Sequence, residues 1–424
     1  MKIEKKTANS AGDLALAYIK YLKAAPALNT RRIFEAWDSV SGASQYTLNR
    51  FFKNGTLFIK LNSSVARNYL QFQTESIKER MNAVLAEDEL FIKGVFEPYA
   101  EVEYLFGSEI NPETIKDADA LIVKGHTRCD AALLEGSAVK IIATTLVGID
   151  HIDIDYCNKK GIYVQNAKGT IGGAVSNYVF SAIYGCAAKK SINLTNATMG
   201  IIGYGSVGMR IEAVARALGF KVLIEDPPKA NVQSPSQFCD LDHLLANSDV
   251  VTLHVPLNER TKGMADSDFF SKMKYGAMFI NTANGALVVD DDLINAVPKL
   301  GAVIIDCWNN EPDINRDLLE KVDIGTPHIS GYSYQSKLAA TRVTIRSVAR
   351  YFGFSELFDY FPKPDIEGMD SIHVDVIGKS QGEIASIFQY NYPIFTDDFL
   401  LKMAPWAFND LRIKYKYRRE FHVL

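Results

Sequence analysis

The sequence predicts an α/β fold built on a parallel, doubly wound sheet, and three observations support this prediction. Short apolar runs bounded by turn residues alternate with helical stretches from about residue 94 to 350. The runs are mostly apolar, with no alternation of apolar and polar residues, as expected for strands that helices cover on both faces. One run leads into a glycine-rich turn and then a helix, at Gly203-Tyr204-Gly205-Ser206-Val207-Gly208.

The predicted strands follow in order along the chain. They are Ala120–Val123, Ala138–Thr144, Thr198–Gly203, Lys221–Ile224, Val250–His254, Ala277–Asn281 and Ala302–Asp306. The helix around Ser176–Ala188 is long and apolar enough to bridge two lobes. From residue 351 onward the chain is rich in aromatic residues, and we predict irregular structure there.

Length and composition limit the class of protein. The chain has 424 residues, enough for three modest domains, and its apolar and charged fractions are 47% and 23%. The longest apolar runs, such as Gly301–Ile305, are too short to span a bilayer, and no apolar segment of a signal peptide follows the lysine-rich start. The five cysteines are scattered without metal-ligand spacing. We therefore expect a cytoplasmic protein with reduced thiols, no metal site and no membrane partner.

The first part of the chain differs from the rest in charge and pattern. Residues 1–93 carry 14 Lys and Arg against 9 Asp and Glu, a net charge of +5, which leaves −9 for the remainder. Two helical patterns precede two strands, Tyr46–Phe52 and Thr56–Leu61, joined by an Asn-Gly turn. A further helix is predicted over Ser64–Leu85. Phe91–Phe96 is a candidate strand for this module or for the domain that follows it.

The glycine-rich turn has the sequence context of a dinucleotide-binding (Rossmann) fingerprint. Gly203 permits a tight turn, Gly205 lets the backbone approach a pyrophosphate, and Gly208 lets the helix pack closely on the strand. The helix N-terminus offers free N–H groups to phosphates. Asp226, about twenty residues on, is placed to bind the adenosine ribose and favours NAD. Lys229 lies nearby in sequence and leaves NADP open as the alternative.

Three motifs follow in a fixed order: Asn281–Gly285, Asp306–Pro312 and Thr326–Tyr332. Together with the fingerprint and His254–Leu257, they resemble the D-2-hydroxyacid dehydrogenases. Finer matches resemble the erythronate-4-phosphate dehydrogenases within that group. These matches are Gly148–Asp153, Asp226–Lys229, His328–Ser333 with Lys337, and the tail from Leu411-Arg412 to Phe421. The resemblance covers about residues 91–424.

The resemblance implies a flavodoxin-like substrate lobe, an NAD domain and a C-terminal dimerisation region. Its reaction would oxidise 4-phospho-D-erythronate to 2-oxo-3-hydroxy-4-phosphobutanoate, in vitamin B6 (pyridoxal 5′-phosphate) synthesis. His328 would exchange the proton of the substrate hydroxyl, paired with Glu311. Asp306 and Gly331 would join Gly203, Gly205, Gly208 and Asp226 at the cofactor, and Tyr332 would contact the substrate.

The chain departs from the family at the substrate side. Asn284 stands where the family has a catalytic arginine, and an asparagine cannot offer a charged bidentate fork to a carboxylate. Gly125 and Leu146 match the family's substrate-binding Ser/Thr positions. Lys168-Gly169-Thr170-Ile171 replaces a Pro-Gly-Cys-Asn loop. We expect slow turnover unless another cation, with Arg128 the first candidate, takes the missing role.

A second resemblance covers about residues 10–93. Arg31–Trp37, Asn54–Leu57 and Asn62–Leu70 are similar to the DciA family, which is associated with replicative helicases. This resemblance implies a small KH-like α+β module that contacts nucleic acid or a helicase, and a docking appendage is the alternative. Lys53, Lys60, Arg67, Lys78 and Arg80 are its candidate phosphate contacts.

These observations divide the chain into four parts. We predict a DciA-like module at 1–90, a substrate lobe at 91–176 completed by 329–354, an NAD domain at 177–328 and a dimerisation region at 355–424. The first functional hypothesis is an NAD-dependent dehydrogenase of a phosphorylated 2-hydroxy acid that forms a homodimer. The second is a catalytically weakened NAD-binding sensor or scaffold, with the N-terminal module as its effector.

Overall fold

The computed structural model describes residues 47–53, 56–61, 92–105, 109–125, 127–232, 237–362 and 370–424. The chain divides into two compact units, residues 1–116 and 117–424, and each is described by itself. Among the described residues, no helix combines the length and the apolar character needed to cross a membrane.

The first unit contains the predicted hairpin. Strand β1 (Thr47–Lys53) pairs antiparallel with β2 (Thr56–Leu61), and Lys53 lies opposite Thr56. The predicted helices of this module, including Ser64–Leu85, and the strand start at Tyr46 lie outside the described residues. The prediction of a strand over Phe91–Phe96 was wrong, because residues 92–100 form turns. Gly94 has a φ of +83°, which an extended strand does not allow.

The second unit is centred on a parallel sheet, as predicted, and the sheet has six strands, of which the sequence predicted the first five. Its strands are β6 (Thr198–Ile202), β7 (Lys221–Glu225), β8 (Val250–Leu253), β9 (Met278–Asn281), β10 (Ala302–Ile305) and β11 (Ile324–Gly325). Their spatial order is β11-β10-β9-β8-β6-β7. The order reverses between β6 and β8, and ligands of such sheets bind where the carboxyl ends of the strands meet this switch point.

A smaller parallel sheet of three strands forms the second lobe of this unit. It consists of β3 (Ala120–Val123), β4 (Ile141–Thr144) and β5 (Tyr163–Gln165), in that order. Between them lie α1 (Ala131–Leu134) and α2 (Ile154–Lys160). Strand β5 was missed in the sequence because its three residues are too short for a periodic pattern.

Helices cover the large sheet on both faces. The two central ones are α3 (Gly172–Lys190) and α4 (Ser206–Ala217), and α3 is buried along nearly its whole length. The others on this sheet are α5 (Pro227–Ala230), α6 (Leu241–Asn247), α7 (Ser267–Lys272), α8 (Asp290–Ala296) and α9 (Arg316–Lys321), whereas α10 (Tyr334–Phe352) packs against β4 of the smaller sheet. Their apolar faces and the strands enclose two cores, one on each side of the sheet.

The C-terminal region is regular, and the prediction of irregular structure after residue 351 was wrong. It contains β12 (Ile372–Val374), α11 (Gln381–Asn391), α12 (Ile394–Met403), α13 (Phe408–Ile413) and β13 (Phe421–Val423), with β12 and β13 parallel. Phe388 and Phe408 are fully buried in the two cores of the sheet. The aromatic content therefore serves packing against this chain's own α/β core, at least in part.

Candidate active site

The glycine-rich turn connects β6 to α4 at the switch point of the sheet. Gly203 has a φ of +93°, and a Cβ there would lie 2.7 Å from the backbone of His254, which follows β8. A Cβ on Gly208 would lie 2.2 Å from the carbonyl oxygen of Gly203. Both positions therefore exclude larger residues for reasons internal to the fold.

Gly205 is different, because no described protein atom lies within 4 Å of a Cβ built on it. The protein itself does not need glycine at this position. Gly205 is also the N-cap of α4, so no side chain caps the N–H groups of the first turn. Open space in front of uncapped, positively polarised N–H groups is what a pyrophosphate requires, and the turn fits NAD.

Asp226 stands at the end of β7, beside this turn. Its carboxylate accepts hydrogen bonds from the backbone N–H of Tyr204, at 2.8 Å, and of Lys229, at 3.0 Å. It thus connects the end of β7 to the glycine-rich turn and keeps acceptor sites for a ribose, because a carboxylate has about four lone-pair sites. The Lys229 ammonium contacts the Tyr204 carbonyl and lies 5.1 Å from the centre of its ring.

The sequence order predicts a pair between His328 and Glu311, and the structure brings the two together. The His328 Nδ1 atom lies 2.9 and 3.1 Å from the two carboxylate oxygens of Glu311. Burial raises the pKa of Glu311, but its contacts with His328, the Trp308 N–H and Arg412 outweigh burial and hold that pKa below its usual value. Glu311 is therefore a carboxylate that orients the imidazole, and Nε2 is the ring nitrogen left for a substrate.

Asp306 fixes the loop that carries His328. Its carboxylate is fully buried and accepts hydrogen bonds from the Thr326 hydroxyl and the N–H groups of Ile329 and Ser330, at 2.6 to 2.8 Å. The Tyr178 hydroxyl lies 2.6 Å from that of Thr326. These bonds hold His328 at a φ of +56°, a conformation that non-glycine residues rarely adopt.

The C-terminal region reaches the same loop, a feature that sequence reasoning missed. The Nε atom of Arg412 donates to the Tyr332 hydroxyl at 3.1 Å, and its Nη1 lies 3.5 Å from Glu311 Oε2. Arg412 and Tyr332 are 80 positions apart in the sequence. The tail Leu411-Arg412 matches the family motif, and this match was the one signal that pointed to Arg412.

Asn284 lies in the loop after β9. Its side-chain oxygen accepts the N–H of Ala286 at 2.9 Å, and its carbonyl accepts the Asn281 side chain at 2.8 Å. A Cβ on Gly285 would lie 2.0 Å from the backbone of Trp308, so the loops that carry Asn284 and Glu311 are packed directly together. Asn284 therefore lies on a loop packed against the loop that carries Glu311, and its side chain has no charge.

The structure also brings Gly125 and Leu146 together in the smaller lobe. A Cβ on Gly125 would lie 3.0 Å from Leu146 Cδ1, so the leucine covers the position where the family has a hydroxyl. The Lys168–Ile171 loop lies against α4, with a Cβ on Gly169 3.9 Å from that of Ser206, and against Gly331, with a Cβ there 3.4 Å from Ile171. Arg128 is not in this cluster: its side chain is 81% exposed and paired with Asp130 at 2.7 Å.

Comparison with known proteins decides the family. An erythronate-4-phosphate dehydrogenase of Bacteroides fragilis is 38% identical over 337 residues, which cover 78% of this chain and 94% of the relative. The chain belongs to the erythronate-4-phosphate dehydrogenase family. An Escherichia coli member is 33% identical over 81% of this chain and 93% of its own length. Residues 182–330 also match the family of the D-isomer specific 2-hydroxyacid dehydrogenase, NAD binding domain.

Solved structures agree with this assignment. The NAD+-bound 3-phosphoglycerate dehydrogenase of Entamoeba histolytica is 26% identical, with a TM-score of 0.52, and the match covers 67% of this chain and 95% of that one. The TT0316 protein of Thermus thermophilus is 25% identical, with a TM-score of 0.53, covering 65% and 96%. The predicted α/β fold, the NAD cofactor and the class of oxidoreductase are thus confirmed. Residues 14–90 match the family of the Dna[CI] antecedent, DciA, as the second resemblance predicted.

Proposed function

We propose that this chain oxidises 4-phospho-D-erythronate to 2-oxo-3-hydroxy-4-phosphobutanoate with NAD, a step of pyridoxal 5′-phosphate (vitamin B6) synthesis in the cytoplasm. The His328–Glu311 pair carries the proposal, because it stands at the carboxyl edge of an NAD-binding sheet in a chain of this family. A complete acid–base pair favours this reaction over a role as a sensor or scaffold that binds NAD without turnover.

The residues of the chain would divide the chemistry as follows. His328 Nε2 accepts the proton of the substrate C2 hydroxyl, and Glu311 on Nδ1 stabilises the imidazolium that forms. Bound NAD would supply the hydride acceptor that oxidation at C2 requires. We assign substrate contact to Asn284 and Tyr332, and to Gly125 and Leu146, which lie next to each other in the smaller lobe.

The cofactor residues are assigned by their place around the switch point. Gly203, Gly205 and Gly208 form the pyrophosphate turn, and Asp226 binds the adenosine ribose. Asp306 and Gly331 belong to the nicotinamide end. Because Asp306 is fully buried and its oxygens already accept three protein donors, we assign Asp306 the positioning of the His328 loop against the nicotinamide.

Turnover tests the proposal directly. We expect purified protein with NAD to form NADH when 4-phospho-D-erythronate is added, and to form less with D-glycerate, which lacks the phosphate. A parallel NAD titration distinguishes a failure to bind the cofactor from a failure to catalyse the reaction. If the protein binds NAD but forms no NADH with any phosphorylated 2-hydroxy acid, the proposed reaction is wrong.

We also propose that the chain forms a homodimer through residues 355–424. Several apolar side chains of α11 to α13 face solvent: Tyr390 and Trp406 are 88% and 75% exposed, and Met403 and Ile413 are both 61% exposed. Large exposed apolar side chains are typical of interface cores. We expect a dimer in light scattering at tens of micromolar and a monomer for Trp406→Lys. A wild-type monomer would refute the interface.

For residues 1–90 we propose contact with nucleic acid or a helicase, supported by the DciA match and the net charge of +5 over residues 1–93. Binding to single-stranded or duplex DNA should weaken steeply as salt rises, because phosphate contacts release counterions. Deletion of residues 1–85 should abolish this binding and spare NAD. Salt-independent binding, or none, would leave the module as a docking appendage.

A further inference from the structure

The substrate side of the site has an acid–base pair but no cation at its expected position. Asn284 uses its side-chain oxygen to cap the turn at Gly285–Leu287 and carries no charge. A 2-hydroxy acid brings a carboxylate next to the reacting carbon, and a carboxylate in a partly buried site requires a charged donor. With Asn284 uncharged, a charged donor must come from another element of the fold.

Arg412 is the cation that the fold brings there. Its Nη1 lies 3.5 Å from the same Glu311 oxygen that lies 2.9 Å from His328 Nδ1. Arg412 and His328 thus flank one carboxylate, and the side chain of Arg412 is 33% exposed. A guanidinium has five N–H groups, and the contacts with Glu311 and Tyr332 use two of them. The remaining N–H groups can bind a ligand.

The contact between Arg412 and Tyr332 also sets the direction of the tyrosine hydroxyl. Arg412 Nε donates to the hydroxyl oxygen, so that oxygen acts as acceptor and its own hydrogen is available to a second acceptor. The Tyr332 ring is held in place by Tyr415 and Tyr417, with ring centres at 6.1 and 5.9 Å. The pair therefore presents a charged fork and a hydroxyl donor from one wall of the site.

Other cations of the second unit are placed for different tasks. Arg418 is buried, and its guanidinium binds the carbonyl oxygens of Ala174, Ile329 and Ser330. Lys337 lies over the Tyr417 ring at 4.4 Å. Arg128 is paired with Asp130 at the surface. Arg412, in contrast, contacts both Glu311 and Tyr332.

We propose that Arg412, presented by helix α13, binds the substrate carboxylate in place of the arginine that Asn284 replaces. This proposal rests on the proposed dehydrogenase function, since it names how that site holds its substrate. A charged fork beside the reacting carbon compensates the negative charge of the substrate and fixes C2 against His328. The C-terminal region is then part of the active site as well as of the core.

A binding measurement tests this without turnover. Oxalate, a planar dicarboxylate that resembles a 2-oxo acid, is titrated into the protein saturated with NADH, for wild type, Arg412→Gln and Arg412→Lys. Loss of a charged pair should weaken oxalate binding by about 100-fold in Arg412→Gln and less in Arg412→Lys. Lys414→Gln is the matched control, because Lys414 is only two residues from Arg412, at the end of α13, but is 67% exposed and paired with Asp410.

The outcomes separate binding from folding and from the reaction. NADH affinity and thermal stability must match the control, so that lost oxalate binding reports the site. Equal oxalate affinity in Arg412→Gln and Lys414→Gln, or no oxalate binding by wild type, overturns the role of Arg412. Absence of wild-type turnover of 4-phospho-D-erythronate with normal oxalate results would refute the proposed substrate alone.

Relocating the charge gives a second test. In the Arg412→Gln background, Asn284→Arg should restore oxalate affinity by at least about tenfold, because it returns a guanidinium to the family position. In the wild-type background the same change should have less than about a tenfold effect, since a cation is already there. A large gain in wild type and none in Arg412→Gln would contradict the proposal.

Discussion

The cofactor end and the substrate end of this site differ in how closely their residues match the motifs of the family. At the cofactor end, Gly203, Gly205 and Gly208 all stand where the fingerprint requires them, and Asp226 ties the turn to β7. At the substrate end, an asparagine stands at the arginine position, and Leu146 lies against a glycine where hydroxyls are expected. The His328–Glu311 pair lies between the two ends and is intact.

The difference shows which positions the fold itself constrains. Gly203 and Gly208 are enclosed by backbone, so a larger residue would break the packing of β6, α4 and β8. Asn284, Gly125 and Leu146 lie on loops, and under the proposed function a substitution at these positions changes substrate binding more than folding. A substitution of Gly203 or Gly208 would therefore destabilise the fold as well as weaken cofactor binding. The substrate contacts can change, or be supplied by another element, at a smaller cost in stability.

Of the changes that test the difference between the two ends, removal of the acid–base group should have the largest effect on activity. We expect His328→Gln to lower kcat for 4-phospho-D-erythronate by about 10²–10⁴-fold, because no other group takes the hydroxyl proton. NAD affinity should stay unchanged, since the imidazole acts on the substrate. His243→Gln, at an exposed histidine of α6, is the control. Parallel loss of NAD binding in His328→Gln would show that the two ends are not separable.

Asp226→Ala probes the cofactor end alone. Loss of charged hydrogen bonds to the ribose should weaken NAD by about 1–3 kcal/mol and narrow the preference for NAD over NADP. Asp226→Asn keeps an acceptor for the Tyr204 N–H and should therefore lose less NAD affinity than Asp226→Ala. Isothermal titration with both cofactors measures these effects, and equal NAD affinity in all three proteins would show that the ribose is held elsewhere.

Glu225 gives a pH-dependent test of the same end. Burial and the neighbouring Asp226 raise the pKa of Glu225 to about 7. A carboxyl whose pKa is higher in the folded than in the unfolded state destabilises the protein once it ionises. The free energy of unfolding therefore falls as pH rises from the unfolded-state pKa, about 4.3, to the folded-state pKa, about 7. Glu225→Gln should therefore be more stable than wild type above pH 7, by roughly 1–3 kcal/mol, and show little difference near pH 4. Denaturant unfolding measures the difference; a constant difference at all pH values would exclude this titration.

The smallest expected effect concerns Gly125 and Leu146 of the smaller lobe. Gly125→Ser alone should gain little, because its Cβ would lie 3.0 Å from Leu146. The double change Gly125→Ser with Leu146→Thr should lower the KM for the phosphorylated substrate by about fivefold, since each new hydroxyl offers a hydrogen bond worth about 0.5–1.5 kcal/mol. Additive single effects would show that the two positions do not interact.

Sequence reasoning reached the parts of this molecule that depend on local pattern. Five of the six strands of the large sheet were predicted because each is a short, mostly apolar run, and the His328–Glu311 pair followed from the motif order. Strands such as Ile324–Gly325 and Ile372–Val374 are too short to leave a periodic signal. Arg412 was not assigned a role, because its contact with Glu311 joins residues 101 positions apart.

The C-terminal region also bears on the order in which this protein acquires its properties during folding. The Arg418 guanidinium binds the Ala174 carbonyl, and the Asn177 side chain pairs with the backbone of Phe421, each across 244 positions of the chain. The glycine-rich turn, in contrast, is closed by β6 to β8 within Thr198–Leu253. Closing a long loop is slow because its entropy is lost before the contacts form. A refolding chain should therefore regain affinity for NAD first and chemical competence only later, when the tail has docked.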